Sequence, residues 1–114
     1  MSDVFFKNWS NQIRKGLLEL AILNDIHYRQ SYAYDIERKF RKSYGVSLSS
    51  GAVYNILKRF KQNRLVKTNV MKSPDGPNRK YYKLTSAGIE VLAQMNSYWH
   101  AVRQNTDSVK KKKR

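Results

Sequence analysis

The sequence predicts an α+β fold that is mainly helical, and three patterns carry that expectation. Apolar residues recur at helical spacing in several separate stretches. The period falls to two in one place only, across a pair of short runs parted by turn formers. A long stretch with a broad apolar stripe follows that pair. At 114 residues the chain has room for one domain and a modest core.

From Trp9 to about Asn24 the pattern is helical. Ile13, Leu17, Leu20 and Ala21 share a face, and Leu18, Ile22 and Leu23 broaden it. A stripe that wide predicts a helix buried on more than one side. Asn24 and Asp25, which favour turns, are expected to end it. Trp9, just ahead of the helix, serves either as core packing or as an anchor between subunits. A second helix is expected from Ser31 to Ser43, with Ala33, Ile36, Glu37 and Phe40 near one face and Arg38, Lys39, Arg41 and Lys42 around the rest. Tyr44-Gly45 breaks it, and the short β-prone segment Val46 to Leu48 follows.

The third stretch, Ser49 to Asn63, organises the others. Val53, Ile56, Leu57 and Phe60 fall at i, i+3, i+4 and i+7, the spacing of one buried helix face. Tyr54, Asn55, Lys58, Arg59 and Lys61 occupy the other side, and each can touch a phosphate or a base edge. Ser49 or Ser50 can cap the helix through its hydroxyl. Two helices joined by a linker, the second with a cationic outer face, make a helix-turn-helix arrangement, here with a longer linker than the tightest form.

Beyond Asn63, the segment Leu65 to Lys72 alternates loosely. Ser73-Pro74-Asp75-Gly76-Pro77-Asn78 is almost all turn formers, and Arg79 to Leu84 reads as a second strand. A hairpin with Lys72, Arg79 and Lys80 near its tip, directly after such a helix pair, is the wing of a winged helix-turn-helix. Thr85 or Ser86 then caps a helix reaching about Gln104, with an apolar seam of Ile89, Leu92, Met95, Trp99 and Val102. A domain this small cannot bury all of that seam, so dimerisation is expected. The organisation expected is therefore a DNA-binding unit over residues 1–84, a dimerisation helix over 85–105 and a disordered basic tail over 106–114.

Charge names the class of partner. The net charge of +15 calls for a polyanion. A bilayer is a poor candidate, since the longest apolar run, Leu17 to Leu23, is short and interrupted by Glu19. With no signal peptide visible, a cytoplasmic, nucleoid-associated protein is expected. The absence of cysteine removes disulfides, thiolate nucleophiles and the common zinc-finger ligand sets. His27 and His100 have no partner at metal-ligand spacing, the carboxylates are scattered, and no phosphate-binding glycine loop is present. Neither an enzyme nor a cofactor is expected.

Several motifs together resemble the PadR family of winged-helix regulators. These are Arg14-Lys15-Gly16-Leu17-Leu18-Glu19-Leu20, Ser31-Tyr32-Ala33-Tyr34-Asp35-Ile36, Leu48-Ser49-Ser50-Gly51-Ala52-Val53-Tyr54 and Asn78-Arg79-Lys80-Tyr81-Tyr82-Lys83-Leu84-Thr85. The resemblance covers about Trp9 to Val102. It implies a repressor dimer on double-stranded DNA, with paired recognition helices in successive major grooves and wings beside them. By that resemblance Ser49, Ser50 and Gly51 meet phosphate, and Tyr34 touches the DNA backbone, although Ala33 stands where the family usually has glycine. Tyr54, Asn55, Lys58 and Arg59, with Lys61 beside them, face the groove, while Lys72, Arg79 and Lys80 sit on the wing. Trp99 matches an aromatic position that stacks a flat ligand at the dimer interface of drug-binding relatives. Some PadR-like winged helices instead act as plasmid partition adaptors of the AspA type, which spread along DNA and recruit a partner protein. Cationic winged helices that bind RNA are a third class.

Overall fold

The computed structural model describes residues 2–29, 33–43 and 50–112. Six elements follow in order: α1 (Ser2–Arg29), α2 (Ala33–Ser43), α3 (Ser50–Gln62), β1 (Val66–Met71), β2 (Arg79–Leu84) and α4 (Ser86–Lys112). The helices gather Leu18, Ile22, Leu23, Ile26, Ile36, Phe40, Val53, Ile56, Leu57, Phe60 and Leu92 into one core, closed at the hairpin base by Val66, Tyr82 and Leu84. The mainly helical α+β class, the two-stranded wing and the long last helix are as the sequence predicts.

α1 is longer than its apolar pattern at both ends. Asn24 and Asp25 do not end it, because tertiary partners satisfy the side chains that would otherwise fold back on the backbone. The amides of Asn24 and Asn96 bond each other in both directions at 3.0 Å, tying α1 to α4. The buried Asp25 carboxylate is ion-paired with Lys39 on α2. Upstream, Trp9 lies within the helix rather than ahead of it, and it is 50% exposed, not core. α2 is described over Ala33–Ser43; residues 31–32, at its expected start, and the linker 44–49 lie outside the described residues.

α3 buries the four residues its spacing selects, Val53, Ile56, Leu57 and Phe60. It ends in a Schellman motif: the Leu65 amide donates to the Phe60 carbonyl at 2.9 Å and the Arg64 amide to that of Lys61 at 3.0 Å. Arg64 adopts φ 60°, a conformation that favours glycine. Arg64→Gly is expected to stabilise the fold by about 0.5–1 kcal/mol, since the relief of strain exceeds the entropy that glycine adds to the unfolded chain. Thermal melts check this; an unchanged or lower Tm would refute it.

The strands pair antiparallel from Val66↔Leu84 at the base to Met71↔Arg79 near the tip. Burial fades along the hairpin, so the base is core and the tip is surface. Thr85 joins wing to α4. Its hydroxyl donates to the Arg64 carbonyl at 2.7 Å and accepts from the Gly88 amide at 3.0 Å, and its carbonyl accepts from the Ile89 amide at 2.9 Å. That is an N-cap welded to the end of α3.

α4 corrects two expectations. Residues 106–112 continue the helix instead of forming a tail. The Thr106 hydroxyl donates to the Val102 carbonyl at 2.8 Å, and Lys110 lies 3.1 Å from Asp107 one turn away, local support that the cationic composition concealed. Leu92, expected on the dimer seam, is 3% exposed and belongs to this chain's own core. Reaching α1 and the hairpin takes one face of the helix, and Leu92 is on it. No described helix is long and apolar enough to cross a membrane.

Candidate nucleic-acid interface

With Val53, Ile56, Leu57 and Phe60 turned inward, helical geometry places Gly51, Asn55, Lys58 and Gln62 along the outward line of α3. All four are exposed. Tyr54 and Lys61 flank that line on one side, Tyr54 at 46% exposure, and Ala52 and Arg59 flank it on the other. Tyr54, Asn55 and Lys58 are all exposed. Ser49 lies outside the described residues, as do the side chains of Ser50 and Tyr34.

Tyr54 stands near Tyr82 of β2. Burial, and secondarily the neighbouring Tyr54 phenol, push the Tyr82 hydroxyl above its ordinary range, so the Tyr82 ring stays neutral at physiological pH. At the wing, Lys72, Arg79 and Lys80 are exposed, with Lys80 opposite Val70 and Arg79 opposite Met71. Exposed lysines and arginines thus stand both on α3 and on the wing.

Arg59 departs from its expected posture. Its guanidinium reaches sideways to an ion pair with Glu19 of α1. The two helices enclose a groove of about 400 Å³, in which Arg14, Lys15 and Glu19 of α1 face Asn55 and Arg59 of α3. Sequence reasoning missed this groove, and it missed Gln62. Gln62 was findable from its i+4 spacing to Lys58; the groove was not, because no local pattern says which helix lies beside α3.

The dimerisation residues scatter more than their seam suggested. Met95, Trp99 and Val102, with Val91 and Tyr98, line one side of an open cleft of about 650 Å³ whose other side is Ile13, Leu17 and Leu20 of α1. Ile89 is exposed but outside that cleft. Farther along α1, Trp9 contacts Phe6 at a ring separation of 6.0 Å, beside an exposed Phe5.

Residues 21–94 match the PadR-like family of transcriptional regulators. The chain belongs to that family. Among solved PadR-like and related regulators, the PadR-like transcriptional regulator of Bacillus cereus is 32% identical, with TM-score 0.77 over 86% of this chain and 95% of its own. A transcriptional regulator of Streptococcus is 28% identical, with TM-score 0.78 over 87% of this chain and 97% of its own. A curated relative from Lysinibacillus sphaericus is 25% identical over 99 residues, covering 85% of this chain and 91% of its own. The PadR-like match includes α2, α3, the wing and the start of α4, and so both elements that carry those exposed cations. Among the described residues no group of acidic and histidine side chains could hold a metal ion.

Proposed function

We propose that this PadR-like regulator is a homodimeric repressor that occupies a specific site on double-stranded DNA. The observation that carries the reading is the exposed line Gly51, Asn55, Lys58 and Gln62 on α3, followed in the chain by a wing with exposed cations. Phosphate contacts from Lys58, Lys61, Lys72, Arg79 and Lys80 supply affinity, and Asn55, aimed outward near the start of the helix, reads base edges. Asn55→Ala is expected to reduce the ratio of specific to non-specific binding by about 5- to 150-fold, the equivalent of about 1–3 kcal/mol. Lys80→Ala weakens binding to every duplex alike and lowers the salt slope by about 0.9 per phosphate lost. Titrations of both variants against a selected and a scrambled duplex decide the matter; equal losses for the two on both duplexes would sink the division of roles.

Shape and exposed apolar surface support the dimer. The radius of gyration is 16.8 Å, against about 13 Å for a compact domain of this length. The excess comes from α1 and α4, which project with Phe5, Phe6, Trp9, Tyr98 and Val102 uncovered. A second copy laid across the α1–α4 cleft covers them and sets the spacing of the paired α3 helices. Sedimentation at micromolar concentration should return twice the chain mass, and a monomer would refute the assembly.

The net charge of +15 favours one further reading, a protein that starts at a site and spreads along the duplex as partition adaptors do. A nuclease footprint that lengthens with protein concentration would support spreading. A fixed footprint of one or two helical turns would support the repressor.

A further inference from the structure

The Glu19–Arg59 pair joins α1 to the flank of the recognition helix, and its two ends differ in freedom. The Glu19 side chain is 16% exposed and Arg59 58% exposed. The acid is seated between helices, while the arginine reaches it on a long stem from the edge of the DNA-facing side. Glu19 is also the one carboxylate among the described residues lining the α1–α3 groove, where Arg14 and Lys15 are its cationic neighbours.

We propose that Glu19 is a specificity-determining residue: it holds the Arg59 guanidinium out of general phosphate contact while leaving the guanidinium's remaining donors to a matching base edge. The proposal rests on the DNA-binding reading above. An arginine paired with a carboxylate is electrically neutral at a distance, so it contributes little to the attraction that draws any duplex in. Guanidinium carries five donors, and one carboxylate engages only some of them, which leaves the others able to meet a base edge with the pair intact. Full charge contact with a phosphate needs the pair broken, and a partly exposed ion pair resists that by a factor of about five at most per protomer. A guanine edge presenting two acceptors takes the free donors without that cost. The pair therefore lowers non-specific binding more than specific binding.

Glu19→Gln removes the charge and keeps the shape. Binding to a scrambled duplex should strengthen about three- to tenfold, with the salt slope steeper by about 0.9 per protomer. Binding to a duplex selected by the wild-type protein should change less than about twofold, so the specificity ratio falls several-fold. In an Arg59→Gln background the Glu19→Gln substitution should have no effect on either duplex, an outcome that a merely structural role for Glu19 does not give. Circular dichroism melts accompany each variant. Should Glu19→Gln fold poorly, Glu19→Asp, which keeps the charge but draws it back from the guanidinium, should shift the ratio in the same direction. An unchanged ratio and slope, equal shifts on both duplexes, or an effect persisting without Arg59 would overturn the proposal. Failure of the wild-type chain to bind duplex DNA would overturn the DNA-binding reading as well; normal wild-type binding with an unchanged variant would overturn this proposal alone.

Discussion

Raising monovalent salt from about 50 mM to about 200 mM is expected to weaken duplex binding by about 10³- to 10⁵-fold, the largest single effect the protein should show. Each protomer offers Lys58, Lys61, Lys72, Arg79 and Lys80, exposed on α3 and the wing. Doubled in the proposed dimer, these neutralise about 6–10 phosphates, each releasing counterions and adding about 0.9 to the slope of log K against log salt. Arg59 is left out because Glu19 neutralises it. Anisotropy titrations over a salt series measure the slope directly. A slope near zero would mean that these side chains do not meet phosphates. Replacing Lys72, Arg79 and Lys80 together with alanine should flatten it; an unchanged slope would place the wing away from DNA.

Gly88→Ala should destabilise the fold by about 3 kcal/mol or more, the upper end for overpacking. A Cβ at Gly88 would lie 2.0 Å from the Leu65 carbonyl oxygen and 2.9 Å from its carbonyl carbon. The obstacle is backbone, so no rotamer change relieves it. Nor can the backbone shift cheaply, because the same carbonyl accepts the Thr85 amide at 3.0 Å and Leu65 closes the Schellman motif of α3. Pushing α4 away would also pull Leu92 from the core. For a domain of this size the loss corresponds to a fall in Tm of about 12 °C or more. Gly76→Ala, in the wing turn with nothing within 4 Å of the added Cβ, is the control and should melt close to wild type. Two variants melting alike would refute the close approach.

Local pattern made much of the fold legible. β2 spans the residues that β-propensity and turn formers bracket, and α3 runs within one residue of its expected bounds. In both, an apolar period and a strong terminator lie within a few residues of each other. α1 ran past Asn24 and Asp25 because Asn96 and Lys39 engage them, partners 72 and 14 residues distant. Arg59 shares its polar flank with Lys58, and spacing alone gave the two the same posture. Glu19, 40 residues away, separates them.

By itself the sequence determined the class of fold, the placement of the wing, the inward face of α3 and the cationic character of its outer face. Period, turn chemistry and charge are properties of neighbouring residues, and they survive whatever the rest of the chain does. Only the tertiary structure decided which apolar residues of α4 are core and which are left over, where Arg59 points, and why residue 88 is glycine. Those outcomes depend on distances between segments far apart in the chain, and such distances exist only once α1, the wing and α4 have packed on α3.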